Sequence, residues 1–324
     1  MRGLVALTLA TIASGVIGIL AGATWFAPAT FLAAITQHHG DAAIILWQLR
    51  LPRVILVAVT GACLGIGGAL LQGLLRNPLV DPYLIGTSAG AACAIAIGVV
   101  AGVAAPALPA IGFVAGLATA LLVAVLARRG SGIDANRLIV AGVSVSALLS
   151  AIITVVLLHV NDIDASQQIL GWLAGSPAGR GWPELRAAVP YAVIGAIVAM
   201  LMSRPLDALR LGDQRARALG VEVGAVEWLI LGATALLAAA AVSLCGMLGF
   251  VGLIVPHIAR RAVGSQAVTL IPACALLGAT LTILADALGR TIVAPSEVPL
   301  GVILAFFGVP AFLYLLTKKE RASR

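Results

Sequence analysis

Lysine is almost missing from this chain of 324 residues: the two that occur, Lys318 and Lys319, stand near its C-terminal end. A nucleotide-binding P-loop closes a glycine-rich turn with Lys-Ser or Lys-Thr, because the ammonium must reach the phosphates. No such turn exists here, which excludes a P-loop ATPase. Charge of either sign is scarce too, at 10% of residues against 61% hydrophobic. Ordinary soluble domains carry about 25% charged residues, so the chain has no room for a sizeable one. Cysteine is confined to Cys63, Cys93, Cys245 and Cys274, each inside an apolar run where a thiol packs as a small hydrophobe. That placement argues against a disulfide or a metal site. The four histidines, His38, His39, His159 and His257, do not cluster. Imidazole suits iron, but loop or helix-end histidines are the plainer reading.

What the chain has instead is apolar runs: Leu4–Phe26, Val54–Leu75, Leu84–Val103, Leu108–Leu126, Leu138–Leu158, Ala187–Met202, Val226–Leu244, Gly246–Ala259, Ala267–Ala285 and Leu300–Leu316. These predict an all-α, polytopic membrane protein of about ten spans, with residues 1–324 forming a single transmembrane domain. Ten spans put both termini on one side. Placing them in the cytoplasm assigns 15 of the 20 basic residues to the inside, leaving only Arg50, Arg53, Arg180, Arg186 and Arg290 outside. This is the bias that orients membrane proteins, and it accounts for the net charge of +7 better than nucleic-acid binding would.

The 22 uncharged residues Val54–Leu75 suffice to cross a hydrocarbon core of roughly 30 Å. Gly61, Gly65, Gly67 and Gly68 allow another backbone to come close, and Gln72 adds an amide unsuited to lipid, so this span belongs inside a bundle. Asn77, Pro78, Asp81 and Pro82 then break it abruptly. A second interruption is expected in Trp228–Ala259, which is too long for one span, short for two, and punctuated by Gly246, Gly249, Gly252 and Pro256. Irregular backbone at membrane depth is tolerated where it lines a cavity, so broken helices often border a transport path. One interruption per half fits an inverted repeat.

The motifs LRLPR, RNPLVDPYLIGTSAG, LGDQRARALGV, GFVGLIVPHIARR and ADALGRTIVAPSEVPLGVILAFFGVPAFL occur in that order over nearly the whole chain. In this they closely resemble the FecCD-type permeases, the membrane subunits of ABC importers for ferric siderophores, haem and cobalamin. The resemblance implies a homodimer in the bacterial inner membrane, two separate ATPase subunits, a periplasmic substrate-binding protein and a metal-chelate cargo. It implies no cofactor, no catalytic residue and no resident metal. By the same resemblance, Arg50, Arg53 and Arg290 face acidic residues of the binding protein, a task that suits bidentate guanidinium groups. Asp213, Gln214, Arg215, Arg217 and Gly220 fall in the segment that docks on the ATPase, where a short helix over roughly Asp213–Leu219 is expected. Ser131, Gly132, Asp134 and Asn136 lie in the turn that corresponds to the inner gate.

Simpler roles compete with these. Arginines flanking a span also anchor it at the headgroups, and Asp286, four residues before Arg290, has the spacing of a helical ion pair. A proton-coupling carboxylate is the sharper reading of Asp286 and would make the chain an autonomous ion-coupled carrier. Against that, no Asp or Glu falls in the middle of any apolar run. The loop flanked by Asp162, Asp164 and Glu184 has an apolar middle that is expected to form a short helix at the outer mouth.

Overall fold

The computed structural model describes residues 2–22, 34–36, 40–130 and 132–322, with side chains up to residue 313. Its helices in chain order are α1 (Arg2–Leu20), α2 (Asp41–Leu74), α3 (Thr87–Val100), α4 (Leu108–Leu126), α5 (Ala135–His159), α6 (Ile163–Ala174), α7 (Trp182–Leu201), α8 (Ser203–Arg210), α9 (Asp213–Ala218), α10 (Val223–Cys245), α11 (Val251–Val263), α12 (Ala267–Gly289) and α13 (Leu300–Ala322). Among the described residues the only strands are β1 (Arg128–Arg129) and β2 (Gly132–Ile133), an antiparallel pair that forms the turn between α4 and α5.

Each of the ten expected spans has a helical counterpart, and among the described residues seven helices are long and apolar enough to cross a membrane. Residues 23–33, which include the expected end of the first span at Phe26, lie outside the described residues, as do His38 and His39. The expected spans Leu84–Val103 and Gly246–Ala259 are realised as shorter helices. The 14 residues of α3 and 13 of α11 rise only about 20 Å, less than a hydrocarbon core. Breaks account for both. Before α3 the chain makes a 3-10 turn over Pro82–Ile85 and passes through Gly86 at φ 82°. Between α10 and α11 it passes Gly246 at φ 72° and Phe250 at φ 70°, the latter a conformation that costs a side chain with Cβ about 1–2 kcal/mol.

The two interruptions meet. Gln72 Nε2 donates to the carbonyls of Val80, Gly252 and Leu253 at 3.3, 3.1 and 3.3 Å, so one amide serves both breaks. The stretch of α2 around Gly68 lies against the backbone of Gly252, which in turn touches Pro82.

Helices α2 and α10 form the centre, with 78% of their apolar windows buried, whereas α1 and α5 form the rim with 11%. A close backbone crossing also joins α2 to α12. A methyl group at Gly61 would strike the carbonyl of Gly278, and one at Gly278 would strike the carbonyl of Gly61. With no side chains between the two backbones, Thr282 Oγ1 reaches across to the Val57 carbonyl at 2.7 Å. Where water exclusion gives helices little reason to associate, close packing of small residues and such hydrogen bonds take its place.

Gly278→Val is expected to force α2 and α12 apart at a cost of about 1–3 kcal/mol or more, seen as a lowered thermal midpoint in detergent. Gly15→Val, in rim helix α1 with open space around it, should leave the midpoint unchanged. Equal effects would remove the crossing from its central place.

Candidate functional site

The helices align so that one end of the bundle carries Arg76, Arg128, Arg129, Arg210, Arg217, Arg260 and Arg261, here the basic end; the other is the far end. Functional side chains gather at three depths.

At the far end, α1 stops with its last carbonyls lacking the partners that a continuing helix would supply. Arg50 Nη1 donates to Ile19 and Leu20 at 2.8 and 3.0 Å, while Arg290 Nη1 and Nη2 donate to Ala21 and Gly18 at 2.8 Å. Two guanidiniums thus satisfy four carbonyls and place positive charge at the negative end of the helix dipole. Asp286 sits between Arg290 Nε (2.9 Å) and Arg53, which grips it through Nε and Nη2 and also binds Glu297 at 2.9–3.0 Å. The expected helical pair between Asp286 and Arg290 is present, but the picture of three free surface guanidiniums is corrected. Arg50 and Arg290 are 8% and 5% exposed. Only Arg53, through its half-exposed partner Glu297, reaches the surface. The reason is that orphan carbonyls in an apolar medium bind nearby cations tightly. Pro52, which has no N–H, and the wide π turn at Ile45–Arg50 accompany this placement of Arg50.

Beside the meeting of the two helix breaks lies a cavity of about 420 Å³, bordered by Asp81, Tyr83, Ser88, Ser146, Met247 and Phe250 among others. Its walls come from α3, α5 and the α10–α11 break. Asp81 Oδ1 accepts the Tyr83 N–H at 2.9 Å and so caps the 3-10 turn, while Oδ2 is buried. Towards the far end, the amphipathic helix α6 covers the Gly246–Phe250 stretch. Arg180 holds it there, stacking 3.7 Å over Trp172 and donating to the Leu244 carbonyl at the end of α10. Burial pushes the Arg180 guanidinium down to about 10, so it stays charged at neutral pH.

At the basic end, α8 and α9 form the expected polar connector. Asp207 on α8 accepts the N–H of Ala267 at 2.9 Å and so caps α12, and Arg210 braces that carboxylate at 2.9 Å. Helix α9 is tied to the end of α2 by an ion pair between Asp213 and Arg76. Gln214 and Arg215 are exposed, as is Gly220, which turns the chain at φ 82° towards α10. A second cavity, about 460 Å³, takes walls from both the connector and the β1–β2 turn, including Asp213, Arg217, Gly132, Asp134, Asn136 and Glu227. Asp134 caps α5 by accepting the Arg137 N–H at 3.0 Å, which holds its carboxyl below the usual range. The structure therefore brings Asp213 and Arg217, expected to couple, and Gly132, Asp134 and Asn136, expected to gate, to one cavity, while Gln214, Arg215 and Gly220 do not line it. Ser131 lies outside the described residues.

Sequence reading passed over Asp81 and Glu227. Both sit at the margins of apolar runs, where a carboxylate looks like a loop residue; only a buried neighbour distinguishes them. Asp81 did carry a signal, standing before Pro82 inside a break.

A bundle of membrane-length helices with a cavity at its interrupted helices defines the class, a polytopic transport protein. The chain belongs to the FecCD transport family, whose model matches residues 9–318. It is 37% identical over 287 residues to the hemin transport system permease protein HmuU of Yersinia pestis, covering 86% of this chain and 85% of that one. To the vitamin B12 import system permease protein BtuC of Vibrio cholerae it is 36% identical over 315 residues, covering 94% and 90%. In structure it superposes with a TM-score of 0.88 on a metal-chelate type ABC transporter in an inward-facing conformation, at 30% identity, covering 97% of this chain and 98% of that one. The chain is a permease of this family.

Two contacts of the far-end arginine cluster differ in expected cost. Arg290→Met strips two α1 carbonyls and leaves Asp286 short of a partner inside the protein, so it should destabilise by about 3–5 kcal/mol. Glu297→Gln removes only a surface contact of Arg53 and should cost about 1 kcal/mol or less. Thermal unfolding in detergent, followed by α1 accessibility to protease, measures both.

Proposed function

We propose that this permease is the membrane subunit of a binding-protein-dependent ABC importer for a large metal chelate, a ferric siderophore, haem or cobalamin. In this reading it works as a homodimer with two ATPase subunits and a periplasmic binding protein. It lies in the bacterial cytoplasmic membrane with the basic end and both termini inside. The observation that carries the proposal is the cavity at the meeting of the two helix breaks. Its walls are largely apolar, with Tyr83, Val143, Met247 and Phe250 beside the small residues Gly142, Ser88 and Ser146, which suits a bulky cargo that must pass without sticking. The names of the relatives support the cargo class. The missing P-loop supports a motor on another chain.

The basic-end connector suits the ATPase contact. Asp213, Gln214, Arg215 and Arg217 occupy one short helix, and Gly220 lets the backbone turn back into the bundle. The far end suits the binding protein. Arg53 is the contact there, since Glu297 can hand it over to a carboxylate on the partner, while Arg50 and Arg290 hold the platform beneath. The β1–β2 turn, with Ser131, Gly132, Asp134 and Asn136, is the inner gate in this reading.

One observation favours the other reading, an ion-coupled carrier: the buried Oδ2 of Asp81 at the cavity. Reconstitution separates the two. Proteoliposomes holding the permease and its ATPase should accumulate hemin, cyanocobalamin or ferric siderophore only with ATP and binding protein, and Asp81→Asn should not change the ATP requirement. Accumulation by the permease alone under a proton or sodium gradient, abolished in Asp81→Asn, would overturn the proposal.

Gly220 gives a sharper expectation. Valine there must adopt positive φ, a strain of about 1 kcal/mol or more that the turn avoids by straightening. Binding-protein-stimulated ATP hydrolysis and uptake should then fall together, with binding-protein affinity kept; unchanged stimulation would show that the turn carries no coupling load.

A further inference from the structure

Glu227 is a carboxylate in the first turns of α10, 9% exposed, in a part of the chain that carries no other charge for more than 15 residues onward. Its Oε2 accepts the backbone N–H of Ile133 at 2.8 Å. This is a contact between residues 94 apart in sequence. The same oxygen lies so near Gly132 that a methyl group there would come within 2.8 Å of it. Strand β2 thus rests on Glu227, and a buried carboxylate without this N–H would be left poorly satisfied.

The position of Glu227 in the chain matters as much as its bond. Leu219, which ends the connector, stands a short way before it, with the Gly220 turn and the first residues of α10 between them. Helix α9 is itself fastened to the end of α2 by the Asp213–Arg76 pair. A movement of α9 therefore reaches the β1–β2 turn by two short links, one covalent and one hydrogen-bonded: α9 to α10 through Gly220, and α10 to Ile133 through one carboxylate. The cavity of about 460 Å³ between connector and turn leaves room for the turn to shift relative to α9.

We infer that Glu227 is the positioning residue that ties the β1–β2 turn to the ATPase-coupling segment, so that displacement of α9 moves the turn. This rests on the coupling and gating reading given under Proposed function and adds the residue that links the two. The link works by hydrogen-bond reach, not by charge, because its partner is a main-chain amide.

That distinction sets the test. Glu227→Gln keeps an acceptor oxygen at the same distance, whereas Glu227→Asp keeps the charge but withdraws it by one methylene. The complex of permease, ATPase and binding protein is assayed for ATP hydrolysis and for hemin or cyanocobalamin uptake, whichever the wild type accepts. Arg128→Cys on the exposed strand β1 is added to the wild type and to each variant, to follow maleimide labelling at position 128 with and without nucleotide. All four native cysteines are buried, so their labelling sets a low background. The expected result is that Gln preserves uptake per ATP within about threefold, while Asp lowers it about tenfold or more with hydrolysis largely kept. Labelling at position 128 should respond to nucleotide in the wild type and the Gln variant and lose that response in the Asp variant. Coupling preserved in Asp and lost in Gln would show a charge role and overturn the inference, as would nucleotide-dependent labelling in all three. If the Asp variant fails to assemble, Glu227→Met takes its place, since it matches Gln in length but offers the Ile133 amide no strong acceptor. It must uncouple as Asp is expected to, and coupling kept in Met would equally overturn the inference. A wild-type complex that hydrolyses ATP without any uptake would instead refute the importer reading itself, whatever the variants do.

Discussion

A helix can stop partway through a hydrocarbon layer only where protein takes up the hydrogen bonds that the helix abandons. The centre of this molecule is built around that constraint. A single amide, Gln72, joins the two interruptions, reaching the Val80 carbonyl before α3 and the Gly252 and Leu253 carbonyls in the first turn of α11, where Pro256 has no N–H to offer Gly252. For that amide to reach them, α2 must lie within backbone contact of α11 and the Pro82 turn, which is why Gly68 and Gly252 bear no side chains. The close crossing at Gly61 and Gly278 continues the same face of α2. The cavity follows from the arrangement, since two helices that end early leave space beside their ends. Its walls are what remained once the backbone was satisfied.

The same principle governs the two surfaces. At the far end four carbonyls of α1 are satisfied by two arginines; at the basic end N–H groups that open α5 and α12 are satisfied by Asp134 and Asp207. Among the described residues, charged side chains thus serve main-chain groups at helix ends as well as each other. Their placement follows from where helices begin and stop.

Much of the fold was readable because membrane helices declare themselves by length and composition. The ten runs, both interruptions, the short helix at Asp213, the covering helix α6 and the ion pair of Asp286 with Arg290 all stood in the pattern of apolar runs, prolines, glycines and charges. Helix length was read less well: α3 and α11 are shorter than their apolar runs, because apolarity continues through a break while hydrogen bonding does not. At the site, types and neighbourhoods of residues were readable, but burial was not. Arg50 and Arg290 look like surface anchors because arginine at a span's end usually is one; that α1 would deliver its bare C-terminus to Arg290 depends on packing between residues 269 and 272 apart in sequence. Glu227 was hidden for the complementary reason, since its partner is a peptide N–H, and every residue but proline has one.

The clamp on α1 also has a bearing on how the chain is made. Helix α1 precedes all the other described helices, so it is synthesised and inserted ahead of them, yet it buries little of its surface. Half of what secures its far end, Arg290, follows only after the last residue of α12. Before Arg290 is made, the far end of this helix has Arg50 and its α2 neighbours such as Val54 against it, without the second guanidinium. It becomes a fixed part of the bundle only when α12 arrives, so an early element to enter the membrane is among the last to be locked.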